Sequence, residues 1–205
     1  MSNTAKYLSI LTILGFLLSP SIVQATEATT QLKATIFSVL SIIKDPMLKG
    51  EKKAPERRKK VKRAIKLRFS YEEMAKRSLG KHWRKRSDAE KKEFTELFTE
   101  IIETAYINKL ESLGDDTVVF NSETVKKNSA KVNTRIVTQM GTELPVSYKL
   151  VKKDSTDWKV YDIVVSGISM VNNYRNKFGK QLMRNSFEEL IAKLKEENKE
   201  KAEDA

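Results

Sequence analysis

The stretch Trp158-Lys159-Val160-Tyr161-Asp162-Ile163-Val164-Val165-Ser166-Gly167-Ile168-Ser169-Met170-Val171-Asn172-Asn173-Tyr174-Arg175-Asn176-Lys177-Phe178 decides the fold class. Its first eight residues are mostly apolar and β-branched, the composition of a strand, and Gly167 supplies a turn. It leaves through a polar, aromatic-flanked segment into a second helical region. Val160 and Val164 alternate with Tyr161, Ile163 and Val165. Both faces are therefore apolar, as in a central strand covered on both sides. Asp162 stands amid them as either a buried hydrogen-bond acceptor or a functional acid. No nucleophile, metal cluster or phosphate loop lies in the stretch.

Upstream, residues 117–120 read as a strand, and residues 131–139 alternate with Val132, Thr134 and Ile136 on one face. After the turn Met140-Gly141-Thr142, Leu144, Val146, Tyr148 and Leu150 mark one face of the next strand. Pro145 cannot donate to a ladder and predicts that this strand starts at a sheet edge. Turns this short join antiparallel neighbours, so the strands form a meander.

The earlier half has helical period. Leu32, Ile36, Phe37, Leu40 and Ile43 make one stripe, ended near Asp45-Pro46. A basic helix follows around Pro55 to Arg68, with Val61, Ala64, Ile65 and Phe69 inward. Ser70 with Glu73, Ser87 with Glu90 and Ser186 with Glu189 are capping-box pairs, a Ser followed three residues later by Glu, that open further helices. The longest carries Phe94, Leu97, Phe98, Ile101, Ile102 and Ala105 on one side. Residues 196–205 are nearly all charged or small and predict a frayed tail. Helices followed by a meander define an α+β domain, a curved antiparallel sheet packed against helices. The space between them is either dry core or an open cone.

Residues 1–25 have the three parts of an export signal: Lys6, an apolar run of twelve residues from Tyr7 to Leu18, and Val23-Gln24-Ala25 after Pro20. A membrane-spanning helix needs about twenty apolar residues, so cleavage after Ala25 and a periplasmic protein are expected. Residues 26–195 then form one domain. With no cysteine and only His82 as histidine, thiolate zinc, thiol catalysis and multi-histidine metal sites are excluded. No cofactor is expected. The net charge is +12, and residues 49–68 hold eleven basic and two acidic side chains. Such a segment suits a solvated helix face, an acidic partner or an anionic membrane. Nucleic acid is the reflex reading of a basic patch, and export argues against it.

Several landmarks resemble the MlaC family, periplasmic phospholipid carriers also known for toluene tolerance. They are Met74-Ala75-Lys76-Arg77-Ser78-Leu79-Gly80-Lys81-His82-Trp83-Arg84, the spacing through Phe94 and Phe98 to Tyr106, and Trp158 to Asp162 with Gly167-Ile168-Ser169 and Asn173 to Phe178. Ser70-Tyr71 replaces an expected acidic–aromatic pair, and the basic stretch before it is a second departure. The resemblance implies a nuclear-transport-factor-like cone enclosing an apolar cavity for acyl chains. It also implies shuttling of phospholipid between an outer-membrane lipoprotein–porin complex and an inner-membrane ABC transporter complex, which maintains outer-membrane lipid asymmetry.

Under that reading the lining residues are Phe98, Ile102, Val132, Ile136, Val146, Tyr148, Val160 and Ile163, with Met170 and Val171 near the exit. Arg175 either meets a head-group phosphate through paired N–H groups or fixes a helix end through a carbonyl. Two rivals stand beside the carrier. One is an enzyme of the same architecture using Asp162 with Tyr161 or Tyr148. The other is an exported basic adaptor with a solid core.

Overall fold

The computed structural model describes residues 26–154 and 156–203. The expected leader and its cleavage after Ala25 lie outside the described residues. Thr26 accepts the Ala28 N–H and opens α1 (Glu27–Lys44), which stops where Pro46 has no N–H to continue the ladder. Two single 3₁₀ turns lead into α2 (Ala54–Arg68). Ser70 caps α3 (Tyr71–Leu79), and a 3₁₀ segment (Gly80–Lys85) leads to α4 (Asp88–Glu111). The α4 capping box is complete: Ser87 Oγ accepts from Glu90 N at 3.2 Å, and Ser87 N donates to Glu90 Oε2 at 2.6 Å.

The strands β1 (Thr117–Lys126), β2 (Ser129–Val137), β3 (Glu143–Lys152), β4 (Trp158–Val165) and β5 (Ile168–Ser169) form one antiparallel meander in chain order. Then come α5 (Met170–Gln181) and α6 (Phe187–Glu203). Among the described residues no helix is long and apolar enough to cross a membrane.

Two readings of the strands hold, and the reading of the tail is corrected. Pro145 lies near the start of β3, opposite Arg135, where the far side of the strand is an open edge, as its sequence predicts. It is tolerated because β4 has already ended at Val165, and only the Pro145 carbonyl is used, accepting from Ser166 N at 3.0 Å. Strand β4 lies inside the sheet order with no exposed residue, as a strand covered on both faces requires, although only β3 flanks it as a long strand. Its second edge meets only β5 and the start of α3, where Ser70 N donates to Val160 O at 2.9 Å. Residues 196–203 are not a frayed tail but continue α6. Asn198 is buried there and donates through Nδ2 to Leu97 O at 3.1 Å, while Lys177 binds Glu197 at 2.9 Å.

The core has three parts. Between α3, α4, α5 and α6 lies an aromatic cluster around Phe94, Phe98, Phe178 and Phe187. Under α1, the sheet contributes Ala130, Val132, Leu150, Trp158 and Val160 against Ala28 and Leu32. A smaller group, Val39, Ile43, Val61 and Ile107, seats α2 on α1 and α4.

Candidate functional site

Strand register decides which of the predicted lining residues share a surface. Pairing sets Val132, Tyr148 and Ile163 in one row across β2, β3 and β4. The next row is Thr134, Val146 and Val165, and beyond it Ile136 faces Leu144. Leu150 opposes Val160 on the same face, since Leu150 and Tyr148 are two residues apart on one strand. Simple alternation puts Val160 and Ile163 on opposite faces. One extra residue of β4, admitted where Lys149 pairs with Asp162 and Leu150 with Val160, brings them to one side. Sequence alternation alone carries no signal for that bulge. The opposite face is polar: Ser147 Oγ donates to Asn133 Oδ1 at 2.8 Å, and Asn133 Nδ2 donates to Ser122 Oγ at 2.9 Å.

All six sheet residues therefore lie on the face that α1 and the other helices cover. Phe98, Ile102, Met170 and Val171 belong to the helical cluster. Val132 and Val160 belong to the sheet cluster, with Tyr148 packed against it. Phe69 and Ile163 touch both clusters and join them. Ile136 and Val146 are buried but belong to neither cluster. The walls of the expected cone meet each other in this structure. Two surface clefts lie along the outside of α6, past Ala192 and Lys195, one of them reaching Glu90 and Glu93 of α4, and neither includes any of the ten predicted lining residues.

Polar groups are sparse on the concave face. Thr134 Oγ donates to Val146 O at 3.1 Å. Burial pushes the Tyr148 hydroxyl up to about 12. Tyr174, beside Phe98 at 5.1 Å between ring centroids, is likewise pushed up to about 12, by burial first and then by Tyr106 and Glu197. Both phenols stay neutral over the ordinary pH range. Burial, then Glu103, pushes the Tyr71 hydroxyl far above its usual value.

Asp162 is 2% exposed, and its oxygens are taken. Lys149 Nζ donates at 2.9 Å, Ser169 Oγ at 2.7 Å and Val171 N at 3.0 Å. Ser169 in turn accepts from Asn172 N and caps α5. The carboxylate thus pins the start of α5 to β4, opposite Lys149 on the outward side of β3, while Tyr148 lies on the inward side. The Asp162 carboxylate and the Tyr148 phenol therefore lie on opposite sides of the sheet, and this pair does not converge. Arg175 Nε donates to Arg77 O at 2.7 Å, so this bond holds the C-terminal end of α3, the second of its two readings. Its side chain lies 3.7 Å from where a Cβ on Gly80 would sit, at a positive φ that glycine adopts without strain. Among the described residues no group of three or more His, Asp or Glu side chains is placed to hold a metal.

A sheet with one apolar face covered by helices and a polar face turned outward defines a small α+β protein whose apolar residues gather between the two layers. The family model described as MlaC protein matches residues 33–196, and the chain belongs to that family. No curated protein matches the chain. A solved phospholipid-binding protein from Ralstonia solanacearum, in complex with a phospholipid, shares the fold with a TM-score of 0.75. The two are 22% identical, and the match covers 86% of this chain and 99% of that one.

Proposed function

We propose that this protein is a periplasmic phospholipid carrier that moves lipid between an outer-membrane lipoprotein–porin complex and an inner-membrane ABC transporter complex. The observation that carries the proposal is the single apolar face built by Val132, Ile136, Val146, Tyr148, Val160 and Ile163 under the helices. Family membership and the phospholipid held by the Ralstonia protein support the same ligand class.

Covering acyl chains gains about 0.8 kcal/mol per methylene, and the contacts are non-directional. Tails of varied length are therefore tolerated, and no chemical step is needed in the carrier. The chains enter by parting the helical cluster from the sheet cluster at Phe69 and Ile163, beside Ile136 and Val146, which neither cluster holds. The head group stays wet at the mouth, and Met170 lends a flexible, adaptable side chain nearby.

Protein exported to the periplasm and purified without detergent is expected to yield phospholipid on solvent extraction and mass spectrometry. Lipid-free material from a fully folded preparation sinks the proposal. Ile136→Asp is expected to lower the lipid load at least fivefold while far-ultraviolet circular dichroism stays unchanged. An unchanged load removes Ile136 from the site.

A further inference from the structure

The basic segment has two kinds of side chain, and the fold sorts them. Arg57 and Arg58 both reach Glu111, Lys62 reaches Glu103, and Arg68 reaches Asp157. Lys53 and Lys60 share Glu56. Lys52, Lys59, Arg63 and Lys66 are exposed, and among the described residues none of them forms an ion pair.

Lys59, Arg63 and Lys66 recur four and three residues apart, so at about 100° per residue they fall within about 60° of one another on α2. Fully buried Val61 marks the opposite side of the helix. Lys52 stands in the 3₁₀ turn just ahead. Leu67, 66% exposed, adjoins Lys66.

The charge is also segregated across the molecule. Residues 27–68, which build α1 and α2, hold thirteen basic and four acidic side chains. Helices α4 and α6 together hold seven basic and thirteen acidic ones, so the two layers carry opposite net charge.

We propose that the outer face of α2 docks the protein onto bilayers containing anionic phospholipid, with Lys52, Lys59, Arg63 and Lys66 meeting head-group phosphates. This rests on the carrier reading, since a carrier must meet the surface from which its ligand comes. The docking chemistry is nevertheless separable from the cavity. Three basic side chains on one helix face and a fourth in the turn ahead of it, free of internal acids, match an array of phosphates. An apolar side chain beside them can enter the head-group boundary.

Co-sedimentation of the full mature protein with vesicles tests the proposal. Binding to phosphatidylcholine containing about 30 mol% phosphatidylglycerol is expected to exceed binding to phosphatidylcholine alone by about tenfold or more. It is also expected to fall steeply as salt rises from about 0.05 M to about 0.5 M. The variant K52Q/K59Q/R63Q/K66Q is expected to lose at least about tenfold in binding. The variant K126Q/K127Q/K131Q/K180Q, with the same change in net charge at exposed sites elsewhere, is expected to lose less than about threefold.

Equal losses in the two variants overturn the proposal, as does indifference of the parent protein to the anionic lipid. Capture of DNA or of an acidic protein, with vesicles left alone, also overturns it. Extracted phospholipid measured on the same preparations separates the two readings. A lipid-loaded protein that ignores anionic vesicles leaves the carrier standing and removes the docking face.

Discussion

The two walls of the interior are built from different material. On the helical side, aromatic rings lock in defined geometry: Phe94 meets Phe178 edge-on at 5.4 Å, and Phe98 meets Tyr174 edge-on at 5.1 Å. On the sheet side the fully buried residues are aliphatic, chiefly Val132, Leu150 and Val160. Ring pairs have preferred angles and resist rearrangement. Aliphatic surface has none, so it accepts a methylene chain as readily as another side chain. Under the carrier proposal, the comparison gives shape-keeping to the helical wall and ligand contact to the sheet wall.

The sharpest way to break that comparison is to remove one ring. Phe98→Ala is expected to cost about 3–5 kcal/mol in denaturant unfolding, and loading with phospholipid should not restore the loss. Val132→Ala is expected to cost about 2 kcal/mol in delipidated protein. Much of that deficit should vanish in the loaded form, where hydrocarbon fills the space. Equal rescue of both variants erases the distinction between the walls.

A smaller effect tests how far the helical wall extends. Asn198→Ala removes the bond to Leu97 O and is expected to cost about 1 kcal/mol. No change in the unfolding midpoint restores the frayed tail.

The smallest effect is one of pH. Burial, then Lys81, Lys85 and Arg86, holds the His82 imidazole below its usual pKa. As pH falls, the unfolded chain takes up this proton before the folded one. The contribution to stability is therefore complete above the ordinary histidine pKa and is lost as pH drops through the folded value. Chemical denaturation of His82→Gln is expected to show a shallower decline over that window.

Much of the fold is legible in short stretches of sequence. Ser70, Ser87 and Ser186 each sit three residues before a glutamate, and each caps the helix expected of it. Period and turn spacing placed the strands of the meander within a few residues, although β1 runs on to Lys126 past its expected end at Phe120. The family landmarks brought in the ligand class that no residue pattern carries by itself.

What eluded the sequence depends on partners distant in the chain. Pro145 is rightly an edge signal, but which neighbour is missing there, β4, shows only in the strand register. The composition of residues 196–205 reads as solvent-bound until Leu97 offers its carbonyl to Asn198. Asp162 was open between structure and chemistry, and its three donors, one from β3 and two from the start of α5, place it at a helix start.

The sequence by itself determined the order and type of the elements, the apolar stripes, and the surplus of positive charge. These are encoded over a few neighbouring residues, where capping, periodicity and charge act locally. Tertiary structure alone decided that Val160 and Ile163 share one face, that Arg175 serves a carbonyl, and which lysines of α2 remain without an acid. Each of these follows from strand register or from packing across many residues, and no local pattern contains that information.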